Sequence, residues 1–190
     1  MKKITIFAVL IAATATVWLS CSSSDSENNR NQTSIAQIPP AQNVSREPAS
    51  QALARQSAFD VDGNSRELSE WVGRQPVVIN FWGTWCPPCR REIPGLVKLY
   101  GEYKSRGIEI ISFALERTAG PQQVKQFAQQ AGMDWVQLIG NQEVATAFKL
   151  TGSVPTTIFL DAQGNEVARH IGARPYEVFK PDFEKIAAGS

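Results

Sequence analysis

The chain has 190 residues, three cysteines, one histidine and a formal net charge of +1. Its 43% of hydrophobic residues suffices for one globular domain of ordinary size, whereas three cysteines are too few for a disulfide-stabilised scaffold. The sequence contains no basic stripe or charge block, which argues against nucleic acid as a partner.

The first residues have the pattern of an export signal. A positive start at Lys2 and Lys3 precedes an uncharged run from Ile4 to Leu19, and Cys21 follows. At ~1.5 Å per residue this run would span about 24 Å, short of the ~30 Å hydrocarbon core, so a spanning helix is the weaker interpretation. Residues 1–21 resemble a bacterial lipoprotein signal, in which Cys21 would carry the lipid. An uncleaved anchor and a plain cleaved signal remain alternatives, and each of the three places the domain outside the cytoplasm, on the periplasmic side of the envelope.

Residues 22–56 are predicted to form a disordered tether. They are mainly Ser, Asn, Gln, Ala and Pro and offer few large apolar side chains to offset the loss of chain entropy on folding. A flexible segment of this length has an r.m.s. reach of order 30 Å. The domain itself is assigned to residues 57–190.

Strands and helices alternate after residue 57. A short strand beginning at Ala58 runs into a turn at Asp62-Gly63, and one helical turn is expected at 68–72. A terminal hairpin follows the alternating part, so the order indicates an α/β domain with a central mixed sheet flanked by helices. Further strands are predicted at 77–82, 108–115, 135–139, 156–160 and 166–171, and helices at 90–106, 121–132, 141–150 and 175–188.

Cys86 and Cys89 form a CxxC pair between the strand at 77–82 and the next helix. Two thiols at this spacing can close a disulfide and so store two electrons. A helix start stabilises the thiolate, which is the reactive form. Cys86 is predicted to be the exposed attacking thiol, and Cys89, on the buried stripe with Ile93, the resolving thiol.

The alternatives for this cysteine pair are an inert disulfide or half of a zinc site. Because the single histidine, His170, is distant in sequence, we expect no metal and no cofactor besides this dithiol.

Three stretches, 59–63, 78–94 and 152–161, resemble the thioredoxin superfamily and, within it, the TlpA/ResA-like thiol-disulfide oxidoreductases. The resemblance implies a thioredoxin-like fold with the dithiol at the carboxyl-end rim of the sheet. It also implies membrane-tethered work outside the cytoplasm, commonly reduction of apocytochrome c thiols in cytochrome c maturation. The expected partners are an exported client protein with a disulfide and a membrane electron donor.

Glu92 is the next candidate for the site, three residues after Cys89 and near it on a helix. A partly buried carboxylate has a raised pKa and could exchange a proton with the Cys89 thiol. Members of the resembled family carry a glutamate here, and a solvated surface glutamate is the alternative. Asn80 stands where many thioredoxins have a buried aspartate, so a nearby carboxylate must come from another position.

Val154-Pro155 resembles the cis-proline loop that faces the dithiol in this fold. The resemblance implies that the Val154 backbone lies beside Cys86, where an extended client segment can pair with it. The alternative is a trans proline at the start of a strand. Trp85 and Pro87 are expected to belong to the surface that contacts partners. Pro87 and the following proline also remove two amide donors near Cys86, which favours a more reducing couple.

Two functions of other classes remain open. One is a redox-controlled binding module that docks a client without turnover. The other is a peroxiredoxin-like peroxidase, since the start at 59–63 is shared with that branch. The residues before Cys86 lack the Pro-x-x-x-Thr-x-x-Cys pattern of peroxidases, which places this possibility last.

Overall fold

A computed structural model describes residues 49–189 of the chain. The predictions made for the signal at 1–21, for Cys21 and for the tether up to residue 48 lie outside the described residues. Within residues 49–189, none of the helices is long and apolar enough to cross a membrane.

Seven strands and five α-helices follow one another in the described part of the chain. The strands are β1 (Ser57–Phe59), β2 (Ser65–Glu67), β3 (Val77–Trp82), β4 (Glu109–Ala114), β5 (Val136–Ile139), β6 (Thr156–Leu160) and β7 (Glu166–Ile171). The helices are α1 (Ala49–Ala54), α2 (Pro87–Tyr103), α3 (Pro121–Gln130), α4 (Gln142–Ala147) and α5 (Tyr176–Ala188). Two short 3-10 turns lie at Leu68–Glu70 and Lys104–Arg106.

Five of the strands form a mixed sheet in the order β5–β4–β3–β6–β7. β3 pairs in parallel with β4 and antiparallel with β6, so it lies in the middle of the sheet. All of its residues are buried, which explains why its sequence is apolar almost throughout. The remaining two strands, β1 and β2, form a separate antiparallel hairpin.

The sheet separates two hydrophobic clusters. Successive side chains of a strand point to opposite faces, so Val78 and Trp82 lie on the face covered by α2 and α5, and Val77, Ile79 and Phe81 lie on the other. Asn80 shares the face of Val78 and Trp82 by the same alternation. A polar strand residue is therefore placed directly under α2.

The predicted thioredoxin-like arrangement is confirmed, and β3, β6 and β7 have the predicted bounds. Several local assignments differ from the structure, among them the end of α4, which lies at Ala147 and not at residue 150. Helix α2 begins at Pro87 instead of residue 90, because proline is well accommodated in a first helical turn. β2 was not predicted, and α1 lies within the segment assigned to the disordered tether, with Leu53 packed against the second cluster.

Candidate active site

The dithiol lies where the central strand passes into helix α2. Cys86 is the N-cap residue of α2 and forms a disulfide with Cys89, with 5.3 Å between the two Cα atoms. The backbone N–H of Cys89 donates to Cys86 Sγ at 3.2 Å. Pro87 and Pro88 occupy the first two helical positions and have no N–H, so Cys89 supplies the first amide of α2 that can bond this sulfur.

The prediction of an exposed Cys86 is wrong for the disulfide form. Cys86 is 2% exposed and Cys89 0%. Both belong to the apolar cluster that contains Trp82 and Ile93. Cys86 Sγ also lies 3.7 Å from the carbonyl oxygen of Val154.

The Val154–Pro155 peptide bond is cis, as the resemblance implies. The Val154 side chain is half-buried and packs against the cluster of the dithiol. The Pro155 carbonyl oxygen accepts a hydrogen bond of 2.8 Å from the N–H of Gly172. The loop before β6 is thus fixed on one side by the loop after β7 and lies against Cys86 on the other.

Trp85 is one of the few large apolar side chains that remain exposed, at 38%. Its ring is held in place: Nε1 donates to the Leu115 carbonyl oxygen at 2.9 Å, and the Arg117 guanidinium lies 4.1 Å above the ring centroid. A Cβ atom at Gly83 would come within 2.6 Å of Trp85 Nε1, so the ring also depends on a glycine there. Pro87 is exposed as well, whereas Trp82 is fully buried and belongs to the core.

Glu116 is a site residue that the sequence analysis missed. Its carboxylate accepts from the Thr84 N–H at 2.6 Å and from Thr84 Oγ1 at 2.9 Å. It lies two residues after the end of β4, and the ends of parallel neighbouring strands meet at one edge of a sheet. A carboxylate two residues after a buried parallel strand was the available signal. Glu116 fixes the loop that leads into Cys86.

Glu92 is buried, with 3% of its surface exposed, so the surface alternative is wrong. Its Oε1 accepts from Asn80 Nδ2 at 3.0 Å and from Thr157 Oγ1 at 3.5 Å, and its Oε2 accepts from the Arg174 N–H at 3.2 Å. Burial raises the pKa of Glu92 to about 7, while these hydrogen bonds and the charge of Arg174 act in the opposite direction. A carboxyl group beside the dithiol helix can therefore be present in either protonation state at neutral pH.

His170 lies in β7 and has a structural contact. Its Nε2 is 2.7 Å from Asp182 Oδ2, and its ring meets Phe159 and Phe179 edge-on. These contacts join β7 to α5.

The comparison with protein families shows to which family the chain belongs. The AhpC/TSA family matches residues 48–169. The chain belongs to this family. A solved thiol:disulfide interchange protein of the thioredoxin family from Chlorobium tepidum has the same fold with a TM-score of 0.61, is 28% identical, and is covered over 92% of its length by 70% of this chain.

Curated relatives narrow the class further. Thiol-disulfide oxidoreductase ResA of Halalkalibacterium halodurans is 38% identical over 128 residues, which are 67% of this chain and 70% of the relative. ResA of Geobacillus kaustophilus is 36% identical over 127 residues, 67% of this chain and 71% of that one. This AhpC/TSA-family protein is a thioredoxin-like, ResA-like thiol-disulfide oxidoreductase, and the predicted recognition and enzyme class are confirmed. Such an enzyme acts on proteins that carry disulfides.

Proposed function

We propose that this oxidoreductase reduces disulfides of exported proteins, such as those formed by the heme-binding thiols of apocytochrome c, and is re-reduced by a membrane electron donor. The observation that supports it most is the buried Glu92, held by Asn80, Thr157 and Arg174 beside the dithiol helix. Its pKa of about 7 suits a group that must release and accept protons at neutral pH.

The first half of the reaction uses Cys86. Its thiolate attacks one sulfur of the client disulfide, a mixed disulfide forms, and the other client sulfur leaves as a thiolate that takes up a proton. The Val154 carbonyl lies next to Cys86 Sγ and offers a backbone acceptor to an extended client segment. Trp85, next to Cys86 in the chain, supplies an exposed apolar surface.

The second half uses Cys89 and Glu92. The Cys89 thiol loses its proton to the Glu92 carboxylate and attacks Cys86 Sγ, which releases the second client sulfur as a thiolate and closes the disulfide. Two electrons pass to the client, and because Cys86 starts as a thiolate the dithiol loses one proton, that of Cys89, which Glu92 takes up. We infer that the dithiol alone carries these electrons, without a cofactor.

The amides around Cys86 support the proposed reducing direction. Pro87 and Pro88 withdraw two donors, and the hydrogen bond from Cys89 N–H remains. A thiolate with fewer donors is less stabilised, which makes the couple more reducing. A reduction potential well above about −200 mV would contradict a reducing role.

The place of action proposed here depends on the first residues. We infer that segment 1–21 exports the protein and that Cys21 anchors it to the membrane as a lipoprotein on the periplasmic side. Incorporation of labelled palmitate into the full chain, lost in Cys21→Ser, tests the anchor. Equal labelling of both chains would exclude lipidation at this cysteine.

A trapping experiment tests the function. In full-length Cys89→Ser the mixed disulfide on Cys86 cannot be resolved, so exported client proteins that carry disulfides should accumulate as mixed disulfides with Cys86. Cys86→Ser is the control, because it cannot form this mixed disulfide. Unmodified protein with a regenerating reductant should turn over a protein disulfide many times. Stoichiometric capture without turnover would indicate a binding module, and rapid peroxide consumption would indicate a peroxidase.

A further inference from the structure

The loop between β7 and α5 reaches the buried carboxyl group. The backbone N–H of Arg174 donates to Glu92 Oε2 at 3.2 Å, while Oε1 is held by Asn80 and Thr157 from the sheet. The Glu92 carboxyl group is therefore bound by the sheet through Oε1 and by the loop between β7 and α5 through Oε2. The position of that loop decides whether Oε2 keeps its donor.

The side chain of Arg174 holds its own loop in shape. Nη1 donates to the Ala173 carbonyl and Nη2 to the Ile171 carbonyl, both at 3.1 Å, so the guanidinium spans the turn at Gly172. Gly172 has a φ of +83°, a conformation that favours glycine, and its N–H donates to the Pro155 carbonyl. These bonds connect the cis-proline segment to the amide that faces Glu92.

The far end of the loop is fixed by helix α2. A Cβ atom at Gly95 would lie 3.3 Å from the backbone N of Tyr176, so backbone and helix are in close contact one turn after Glu92. The loop from Gly172 to Tyr176 thus touches both segments that frame the dithiol. A change in its conformation would move a donor of Glu92.

Charge acts in the same direction as the amide. Within residues 49–189 the Arg174 guanidinium donates to two neutral carbonyls, which do not neutralise its charge, and this charge favours the ionised form of Glu92. The other groups on this face are Cys89 on α2, the neutral Asn80 and Thr157, and the His170–Asp182 pair, which β7 and α5 contribute beside Thr157.

We propose that Arg174 is a positioning residue for the dithiol chemistry: its guanidinium fixes the loop so that its backbone N–H and its charge hold Glu92 ready for proton exchange with Cys89. This inference rests on the function proposed for Glu92. It predicts an effect of Arg174 that passes through Glu92 and not through contact with the client.

The first test needs no client. In the full chain in its disulfide form, the carboxyl carbon of Glu92 is titrated by NMR in the unmodified protein, in Arg174→Met and in Arg91→Met. Arg91 is an exposed arginine next to Glu92 and controls for a general loss of positive charge. Arg174→Met should raise the midpoint by about one pH unit, and Arg91→Met should leave it in place. An unchanged midpoint in Arg174→Met, or equal changes in both variants, would overturn the proposal.

Arg174→Lys is the second variant, for use if Arg174→Met does not fold. Arg174→Lys keeps the charge, but a single ammonium group cannot bridge two carbonyls in the manner of a planar guanidinium. The Glu92 midpoint should again rise. A midpoint identical to that of the unmodified chain would show that the guanidinium does not position the loop.

The second test is a double-mutant cycle in turnover of a protein disulfide at pH 7. Arg174→Met should slow turnover several-fold when Glu92 is present and have no further effect in Glu92→Gln. Equal slowing in both backgrounds would mean that Arg174 contacts the client, which refutes the inference. If the unmodified protein does not turn over at all, the proposed function fails, whereas the NMR titration still decides the role of Arg174.

Discussion

At the scale of single residues, Glu92 balances opposing effects. Burial disfavours its charge, whereas Asn80, Thr157 and the Arg174 amide favour it, and the pKa that results is about 7. A group with this pKa gives up or accepts a proton near neutral pH at little cost in free energy. The carboxyl group on α2 is in this respect better suited to serve Cys89 than a solvated glutamate would be.

Replacing Glu92 by glutamine removes the titrating group with little change in shape. We expect Glu92→Gln to turn over a protein disulfide roughly 10- to 100-fold more slowly at pH 7, because the Cys89 thiol loses its proton acceptor. Its Cys89 titration, followed by alkylation rate against pH, should also change. Glu143→Gln, at an exposed position of α4, is the control and should behave like the unmodified protein. Unaltered kinetics in Glu92→Gln would end the proposed role.

Asn80 offers a second test at the same scale. In Asn80→Asp a second carboxyl group would lie about 3 Å from Glu92 Oε1. Two carboxyl groups at this distance cannot both ionise readily. The pair should therefore keep one proton up to a higher pH than Glu92 does in the unmodified protein. The pH–rate profile of turnover should therefore move to higher pH. A profile that coincides with that of the unmodified protein would mean that Asn80 and Glu92 are not coupled.

The sequence allowed part of this site to be predicted. Glu92 was found because residues three apart on a helix are neighbours, and Cys86 and Cys89 because of their spacing. Thr157 and Arg174 were not found, because they come from elements far along the chain and meet Glu92 only in the folded domain. The burial of Cys86 was missed for the same reason: the segment around Val154 covers it.

At the scale of elements, predictability follows the hydrophobic pattern. The bounds of β3 and β6 were predicted because every residue of these strands is buried and, apart from Asn80, the residues are apolar or β-branched. β2 has the sequence Ser-Arg-Glu and no apolar residue, and it is a strand because it pairs with β1. α1 consists of small and polar residues around Leu53, and its contacts with the core, which no local pattern announces, order it.

The loop between β3 and α2 gives a prediction at this scale. Alanine at position 83 would push Trp85 Nε1 away from the Leu115 carbonyl, because the new Cβ atom would lie 2.6 Å from Nε1. We expect Gly83→Ala to lose about 1 kcal/mol of unfolding free energy with the hydrogen bond, to shift the Trp85 indole N–H resonance and to raise KM for a protein disulfide.

Gly101→Ala is the matched control for this change. Gly101 lies in α2 with open space around its Cβ position, so alanine should stabilise the helix by about 0.5 to 1 kcal/mol and leave the Trp85 resonance unchanged. An identical Trp85 resonance in Gly83→Ala and the unmodified protein would show that the ring does not depend on this glycine.

At the scale of the whole molecule, the Glu92 proton links the site to folding. The pKa of Glu92 is about 7 in the folded domain, against an ordinary 4.5 for a glutamate in an unfolded chain. Between these values the folded state holds a proton that the unfolded state has released, so stability falls as pH rises through this window and stays level above it. At ~1.4 kcal/mol per pH unit the loss is on the order of 3 kcal/mol. The domain accepts this loss in order to keep a titrating carboxyl group in its core.

Urea unfolding of the disulfide form at a series of pH values tests this linkage. The unfolding free energy of the unmodified protein should decrease between about pH 4.5 and 7 by on the order of 3 kcal/mol more than that of Glu92→Gln, because glutamine has no proton to release. The comparison cancels the other titrating groups, which both chains share. The comparison also separates the pH dependence of the unfolding free energy from a second effect. That effect is the loss of unfolding free energy, equal at every pH, that is expected when the glutamine amide faces the Arg174 N–H. Parallel curves for the two chains would mean that Glu92 is ionised in the folded domain at neutral pH, and its proposed service to Cys89 as a group that both holds and releases a proton would then fail.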